Sequence, residues 1–331
     1  MIRVNNIHLS LDYDDKSVRK AVAQQLRIEE KSIKSCKIFR RSVDARKKDS
    51  IYFLTTVDAE LNINEDKVCK KCGNAQIARK YEYNQMKFGN APSPIVVGAG
   101  PAGLFAALIL ARSGANPILI ERGRDVDRRT ADVNRFWTSG KLDITSNVQF
   151  GEGGAGTFSD GKLNSGTKDI RQRKVLEEFV SHGAPDEILY NAKPHIGTDM
   201  LKGTIKNIRN EIIELGGRVM FETKLVSMAF SDNKLKSITV ETANGDEIIE
   251  TDNVILAIGH SARDTFEMLY DLKLPIEAKP FSVGARIEHL RQKVDKAQYG
   301  RFAGNKKLGS ANYKLSTHLD NGRGVYTFCM C

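Results

Sequence analysis

The chain has 331 residues, 40% hydrophobic and 28% charged, with a formal net charge of +10. This composition excludes a disordered or fibrous protein and leaves room for two or three domains with a substantial core. The basic excess is concentrated in the first 90 residues, which fits a lysine-rich solvated surface or an acidic partner. The 5 cysteines are an odd number, and the opening MIRVNNIHLSLDYDD has no apolar leader, so a reducing, cytoplasmic setting is expected. No membrane association is expected. The longest apolar stretch, Ile95 to Ala111, barely reaches the length of a span, and Gly98, Gly100, Pro101 and Gly103 interrupt it.

Residues 1–65 read as a small basic α+β domain of ferredoxin-like type. Ile2 to Leu11 has strand character. Ser17 to Leu26 sets Val18, Ala21, Val22 and Leu26 on one helical face. Ser32 to Arg41 and Ser50 to Val57 read as further strands. Residues 66–92 are polar and charged and read as a linker. Pro94 to Val97 is then a short buried strand, Pro101 to Ser113 a helix, and Pro117 to Ile120 a second buried strand. A strand, crossover helix and strand of these lengths make a right-handed parallel unit. Amphipathic helices are expected at 170–181 and 199–215, the second ended by Gly216-Gly217. Short strands follow at 218–221, 225–230 and 235–242, with Asn244-Gly245 as a hairpin turn. Asp252 to Ile258 reads as another buried, parallel-type strand.

The chemistry-bearing motif is Gly98-Ala99-Gly100-Pro101-Ala102-Gly103 between the first strand and the helix. In such a turn one glycine permits the sharp exit, one admits a pyrophosphate, and one lets helix and strand pack closely. The helix N-terminus presents N–H groups and a positive dipole end to phosphate, and Pro101 sits where its missing N–H costs nothing. Glu121, ending the second strand, falls where a carboxylate meets ribose hydroxyls, which disfavours a 2′-phosphate. The motif alone leaves FAD and NAD both open.

Two later segments carry a resemblance. Gln149 to Leu163 (QFGEGGAGTFSDGKL) is a second glycine-rich loop, placed as in glutathione-reductase-type flavoproteins. Thr251 to His260 (TDNVILAIGH) resembles their later strand ending in an Ala-x-Gly turn. With VVGAGPAGLFAALILARSG, ILIERG, KPHIGTD, GRGVYTFCMC and RRSVDARKK, nearly the whole chain resembles the uncharacterised FAD-dependent dehydrogenases of bacteria. The resemblance implies a Rossmann-like FAD-binding domain with a parallel sheet over 93–280, carrying a helical insertion at about 165–215. It implies part of a β-rich substrate domain over 281–331. Carried over by residue, the FAD contacts are Gly98, Gly100, Pro101, Ala102, Gly103, Glu121, Arg122, Gly153, Gly154, Ala155, Gly156, Thr157, Lys162, Leu225, Ala257 and Gly259. On physical grounds alone the glycines of the second loop also fit a merely flexible segment. Relative to the family, the chain is expected to be truncated, because it stops inside the apolar run Val325 to Cys331.

Weaker signals stand beside these. Cys69-Lys70-Lys71-Cys72 has the spacing of half a zinc site, but no second such pair exists, and incidental cysteines fit better. No metal is expected. Cys329 and Cys331 share a strand face and read as core thiols. His195 and His260 flank glycine turns and are the acid/base candidates; Thr198 or Asp199 can equally cap a helix that leaves His195 a loop residue. Together these features predict an FAD-dependent oxidoreductase acting on a small molecule, with NAD(P)H as a candidate electron donor. An NAD-binding dehydrogenase remains an alternative. So does a redox-sensing, nucleic-acid-associated protein using the basic cluster Arg40 to Lys48, although few aromatics accompany it and nucleic acid is disfavoured.

Overall fold

A computed structural model describes residues 1–79, 81–89, 92–158, 162–163, 167 and 169–327. The chain divides into two compact units. One comprises Met1–Tyr81, Leu189–Pro194 and Phe281–Cys331; the other comprises Glu82–Ile188 and His195–Pro280.

The first unit opens with β1 (Ile2–Leu9), α1 (Asp15–Leu26), β2 (Ile33–Asp44), β3 (Tyr52–Leu61), α2 (Glu65–Lys71) and β4 (Ala75–Ile77). The strands form an antiparallel sheet in the order β2-β3-β1-β4. Ile2, Val4, Ile7 and Leu9 of β1 all face the core. Val4 and Ile7 are three apart, so strict alternation would send them to opposite faces. The register shift between them absorbs the extra residue and keeps both inward. These residues and Phe53, Val57 and Ala59 of β3 pack on Val18, Val22, Ala23 and Leu26 of α1. Asp14 starts that helix by accepting the Ser17 N–H at 2.8 Å.

The stretch after residue 65, expected as a linker, is folded through residue 77. Asn64 accepts the Lys67 N–H at 2.9 Å to start α2, and β4 pairs with β1. Its polar composition hid it because α2 buries only Val68. Cys69 and Cys72 are half-buried at its end and pack against the same core.

The second unit contains β5 (Ile95–Val97), α3 (Pro101–Arg112), β6 (Ile118–Ile120), α4 (Val126–Ser139), α5 (Gln172–Ser181) and α6 (Thr198–Glu214). After these come β7 (Arg218–Met220), β8 (Lys224–Ser231), β9 (Lys234–Thr242), β10 (Gly245–Glu250), β11 (Val254–Leu256) and α7 (Arg263–Asp271). Four strands form a parallel sheet in the order β11-β5-β6-β7. Every residue of β5 and β6 is buried, as a sheet covered on both faces requires. On one face Val96 and Leu119 meet Leu104, Ala107 and Leu108 of α3 and Ile205, Ile208 and Ile212 of α6. On the other, Ile95, Val97, Ile118 and Ile120 meet Leu225, Met228, Ile238 and Val240 of the antiparallel sheet β10-β9-β8, and Leu269 of α7.

Three expectations change. The strand expected as buried over Asp252 to Ile258 is parallel but lies at the sheet edge, where Ile255 and Leu256 are each 40% exposed. In the β9–β10 hairpin Thr242 pairs with Gly245, so the loop is Ala243-Asn244 and Gly245 takes the positive φ of 107°. Helix α4 was not expected. Its buried stripe is Val126, Arg129, Asp132 and Val133, and two charged residues on that stripe mask its period.

The last residues of the first unit are α8 (Arg291–Tyr299), β12 (Ser316–His318) and β13 (Gly324–Tyr326). Expected as part of a β-rich domain, the described stretch holds one helix and two short strands. Tyr299, Leu308 and Ala311 join the core built by β1, β3 and α1. Cys329 and Cys331 lie outside the described residues.

Candidate functional site

The site begins where β5 ends. Gly98 has φ +100°, and a Cβ on it would lie 2.5 Å from the Ala257 carbonyl oxygen. A Cβ on Gly103 would lie 1.7 Å from the Gly98 oxygen. These two glycines are therefore demanded by packing, one by the turn and one by helix–strand approach. Gly100 differs. It caps α3 in an extended conformation, and a Cβ there would meet only Gly154 Cα, at 4.0 Å. The space before it is open, and protein packing alone does not call for glycine. The first helical bond runs from Leu104 N–H to Gly100 O at 2.9 Å. The N–H groups of Ala102 and Gly103 lie ahead of it, in the first turn, with Pro101 contributing none.

Glu121 follows β6 and is 5% exposed. Its Oε2 accepts the Ala99 N–H at 2.8 Å. Its Oε1 accepts the N–H groups of Gly123 at 2.9 Å and Gly151 at 3.1 Å. One carboxylate thus ties the first glycine turn to the second glycine loop. Three acceptor positions are filled of about four that a carboxylate offers, so one remains for a hydroxyl. The second loop returns a bond, from Gly153 N–H to Ala99 O at 2.8 Å. Gly154 packs on Pro101, its would-be Cβ 3.0 Å from Pro101 Cδ. Gly98, Gly100, Pro101, Ala102, Gly103, Gly153 and Gly154 therefore belong to one assembly. Ala155, Gly156 and Thr157 form a 3-10 turn, Ala155–Phe158. Thr157 is fully buried, its hydroxyl 3.5 Å from the Arg129 guanidinium. Ser159, Asp160 and Gly161 lie outside the described residues.

Beside the turn a narrow cleft of about 40 Å³ is lined by Gly98, Glu121, Arg122, Phe150, Lys224, Leu225, Ile258, Ala262 and Thr265, among others. That volume is well below the range of about 300–1,000 Å³ usual for small-molecule sites. Arg122 donates to Asp264 at 2.9 and 3.2 Å and to the Thr265 hydroxyl at 2.9 Å. Its guanidinium stacks 4.6 Å from the Phe150 ring centroid. Lys224 adds a second contact to Asp264 at 2.8 Å. Burial alone would raise the Asp264 carboxyl, but its bonds to Arg122 and Lys224 outweigh burial and hold it well below the ordinary carboxylate range.

Ala257 donates its N–H to Val97 O at 2.8 Å and closes the turn from the β11 side. Gly259 and His260 are exposed, between the cleft-lining residues Ile258 and Ala262. His195 is exposed as well, and forms an antiparallel bridge with Lys162. The acid/base candidates thus sit in separate places, neither enclosed.

Sequence reasoning missed the interior of the second loop. Arg129 of α4 is 0% exposed. It donates to the carbonyls of Asn147 at 2.9 Å, Val148 at 3.1 Å and Glu152 at 2.5 Å. Burial pushes its guanidinium down to about 10, while Glu121 and Glu152 pull the other way. Glu152 is also 0% exposed. Its Oε2 accepts from the Val126 N–H at 2.7 Å and from Arg209 at 2.9 Å. Its Oε1 is without a partner among the described residues. Burial raises its carboxyl despite those bonds. The available signal was an arginine in register with Val126 and Val133, a position that faces inward.

A turn with open space before Gly100, first-turn N–H groups and a spare carboxylate position fits a dinucleotide pyrophosphate and its ribose. Comparison with known proteins agrees at the level of domains. Residues 93–132 match the FAD binding domain family, and residues 280–331 match the family described as FAD-dependent protein, C-terminal domain-like. Residues 1–60 match a domain of unknown function.

The chain is 46% identical over 336 residues to an uncharacterised protein of Clostridium beijerinckii, covering 100% of this chain and 62% of that relative. The chain thus spans about three fifths of the relative's length. Among solved structures, Thermovibrio ammonificans THI4 is 16% identical with a TM-score of 0.36, covering 56% of this chain and 64% of that one. The 3-ketosteroid-delta4-(5alpha)-dehydrogenase of Rhodococcus jostii RHA1 is 15% identical with a TM-score of 0.32, covering 50% and 45%. Among the described residues no helix is long and apolar enough to cross a membrane.

Proposed function

We propose that this chain binds FAD across the Gly98–Gly103 turn and works as an FAD-dependent oxidoreductase on a small molecule. The observation that carries the reading is the open space before Gly100, at the start of α3, inside the segment that matches the FAD binding domain family. In this reading the first-turn N–H groups of Ala102 and Gly103 hold the pyrophosphate. Glu121 takes a ribose hydroxyl, while Arg122 and Leu225 border the adenosine. Gly153 and Gly154 back the turn, with Ala155 to Thr157, Lys162, Ala257 and Gly259 further along the cofactor. The FAD supplies the hydride chemistry when bound. The protein's part is to hold it, exclude water and place acid or base groups, for which His195 beside Lys162 and His260 beside Gly259 are the candidates. NAD(P)H as electron donor, dehydrogenation as the reaction type, a glutathione-reductase-type fold with a ferredoxin-like first unit, and a cytoplasmic setting complete the proposal.

The test is the visible spectrum of the purified protein. Flavin bands are expected, with Gly100→Glu abolishing them because its side chain fills the open space with negative charge. A colourless protein that retains NAD would replace this reading with an NAD-binding one. Salt-sensitive retention on nucleic acid, lost when Arg40, Arg41, Arg46, Lys47 and Lys48 are neutralised, would favour a nucleic-acid role instead.

A further inference from the structure

The cofactor cradle has a charge problem of its own making. Two fully or nearly buried carboxylates belong to this assembly: Glu121 bonds the turn at Ala99 and the loop at Gly151, and Glu152 precedes Gly153, whose N–H reaches the Ala99 carbonyl. Glu121 is bonded to three backbone N–H groups, which are dipoles and not charges. Glu152 has an ion pair with Arg209 at 2.9 Å, yet its Oε1 has no partner among the described residues. A pyrophosphate would add negative charge beside them. The nearby buried cation without a carboxylate hydrogen bond of its own is Arg129. Its four donated bonds go to the carbonyls of Asn147, Val148 and Glu152 and to the Thr157 hydroxyl. Neutral donors could serve carbonyls and a hydroxyl. A guanidinium is withdrawn from water where its charge is also used.

We infer that Arg129 is a positioning residue of the cofactor site: its buried charge offsets Glu121 and Glu152 so that the glycine cradle accepts a pyrophosphate, while its hydrogen bonds shape the loop 147–157. The inference rests on the proposed dinucleotide reading and deepens it. Charges and shape separate experimentally, because a charge role can be rescued by removing a compensating charge and a shape role cannot.

Four proteins decide it: wild type, Arg129→Met, Arg129→Lys, and the double variant Arg129→Met/Glu152→Gln. FAD is titrated into each apoprotein by calorimetry, with far-UV circular dichroism as the folding check. Trp137, the single tryptophan, packs edge-on to Phe158 with ring centroids 6.2 Å apart, and Arg129 lies 4.8 Å from that Phe158 ring centroid. Its emission in the apoproteins therefore reports the loop independently of the cofactor.

Arg129→Met should weaken FAD by about tenfold or more, the scale of a lost charged contact. The double variant should recover most of that loss although its Trp137 emission stays as altered as in the single variant. Arg129→Lys, which keeps the charge and loses the fork of bonds, should bind within about threefold of wild type, well under one tenfold step in affinity. A double variant as weak as Arg129→Met, or Arg129→Lys as weak as Arg129→Met, overturns the inference. If Arg129→Met does not fold, the Arg129→Lys result decides alone. If wild type binds NAD in place of FAD, the same four titrations with NAD decide the inference by the same outcomes. Wild type that binds neither ends the cofactor reading and the inference together.

Discussion

At the scale of single residues, the glycine turn separates packing from recognition. Gly103→Ala would put a methyl group against the Gly98 carbonyl, so the helix must shift away from β5. A loss of about 2–4 kcal/mol in unfolding free energy is expected, measured by denaturant titration. Gly100→Ala meets nothing closer than 4.0 Å; it should leave stability near wild type and lower FAD affinity alone. Glu121 shows how a residue can be found for one reason and serve another. Its position after β6 suggested a ribose partner, whereas its bonds to Ala99, Gly123 and Gly151 require separate stretches of chain to converge, which no spacing announces. Asp264 has a folded pKa depressed by Arg122 and Lys224. Its stabilising contribution is therefore complete above its unfolded value, about 3.9, and lost as pH falls through the lower folded value. Asp264→Asn should flatten the acid limb of a thermal-unfolding profile between about pH 5 and 2, over which such a carboxylate titrates.

Among the elements, a basic side chain at the end of α3 clasps that helix to α5 and α6 beside their apolar cluster. Arg112 donates to Glu178 at 2.6 Å and to Glu211 at 2.5 Å, and Glu178 is 3% exposed. Burial works to raise Glu178, and the bonds from Arg112 and Lys174 overcome it. For Glu211 the Arg112 bond is the leading cause of a lowered value. Arg112→Met leaves the buried Glu178 with Lys174 still 2.5 Å away and should cost about 1.5–3 kcal/mol, the range for a hydrogen bond to a charged group, read by chemical denaturation. Both carboxylates stabilise above their unfolded value of about 4.3 and lose that contribution on acidification. The variant should accordingly lose less stability than wild type between neutral pH and pH 3. The helices themselves were readable from their periodicity. The clasp was not, because residues 112, 178 and 211 are far apart in the chain. Helix α4 escaped notice because Arg129 and Asp132 occupy positions where periodicity looks for apolar residues.

At the scale of the whole molecule, the chain leaves its first unit and returns to it. Leu308 is 8% exposed and belongs to the core of β1, β3 and α1. Leu308→Ala should therefore destabilise the first unit by about 2 kcal/mol or more. Faster amide exchange in Ile2–Leu9 and Tyr52–Leu61 would show it, and unchanged exchange there would place Leu308 outside that core. The three layers of the second unit were partly foreseeable. Alternation within Ile95–Val97 and Ile118–Ile120 already demands partners on both faces. Of those partners α3 follows β5 directly, whereas α6 on the same side and the β8–β9 sheet on the other come from segments far along the chain.

The strand–turn–helix at Gly98, the two short buried strands and the helix of the first unit were legible in the residues themselves, through turn geometry and apolar period. The second glycine loop was placed by resemblance to a family, since its glycines alone also fit a flexible segment. That β11 is an edge and that residues 65–77 complete a sheet followed only once the chain was folded. So did the bonds by which Glu121 ties two loops and the burial of Arg129 against the carbonyls of Asn147, Val148 and Glu152. Those features arise from burial and charge among residues distant in the chain, where the free energy of an ionisable side chain depends on neighbours that its own segment does not contain.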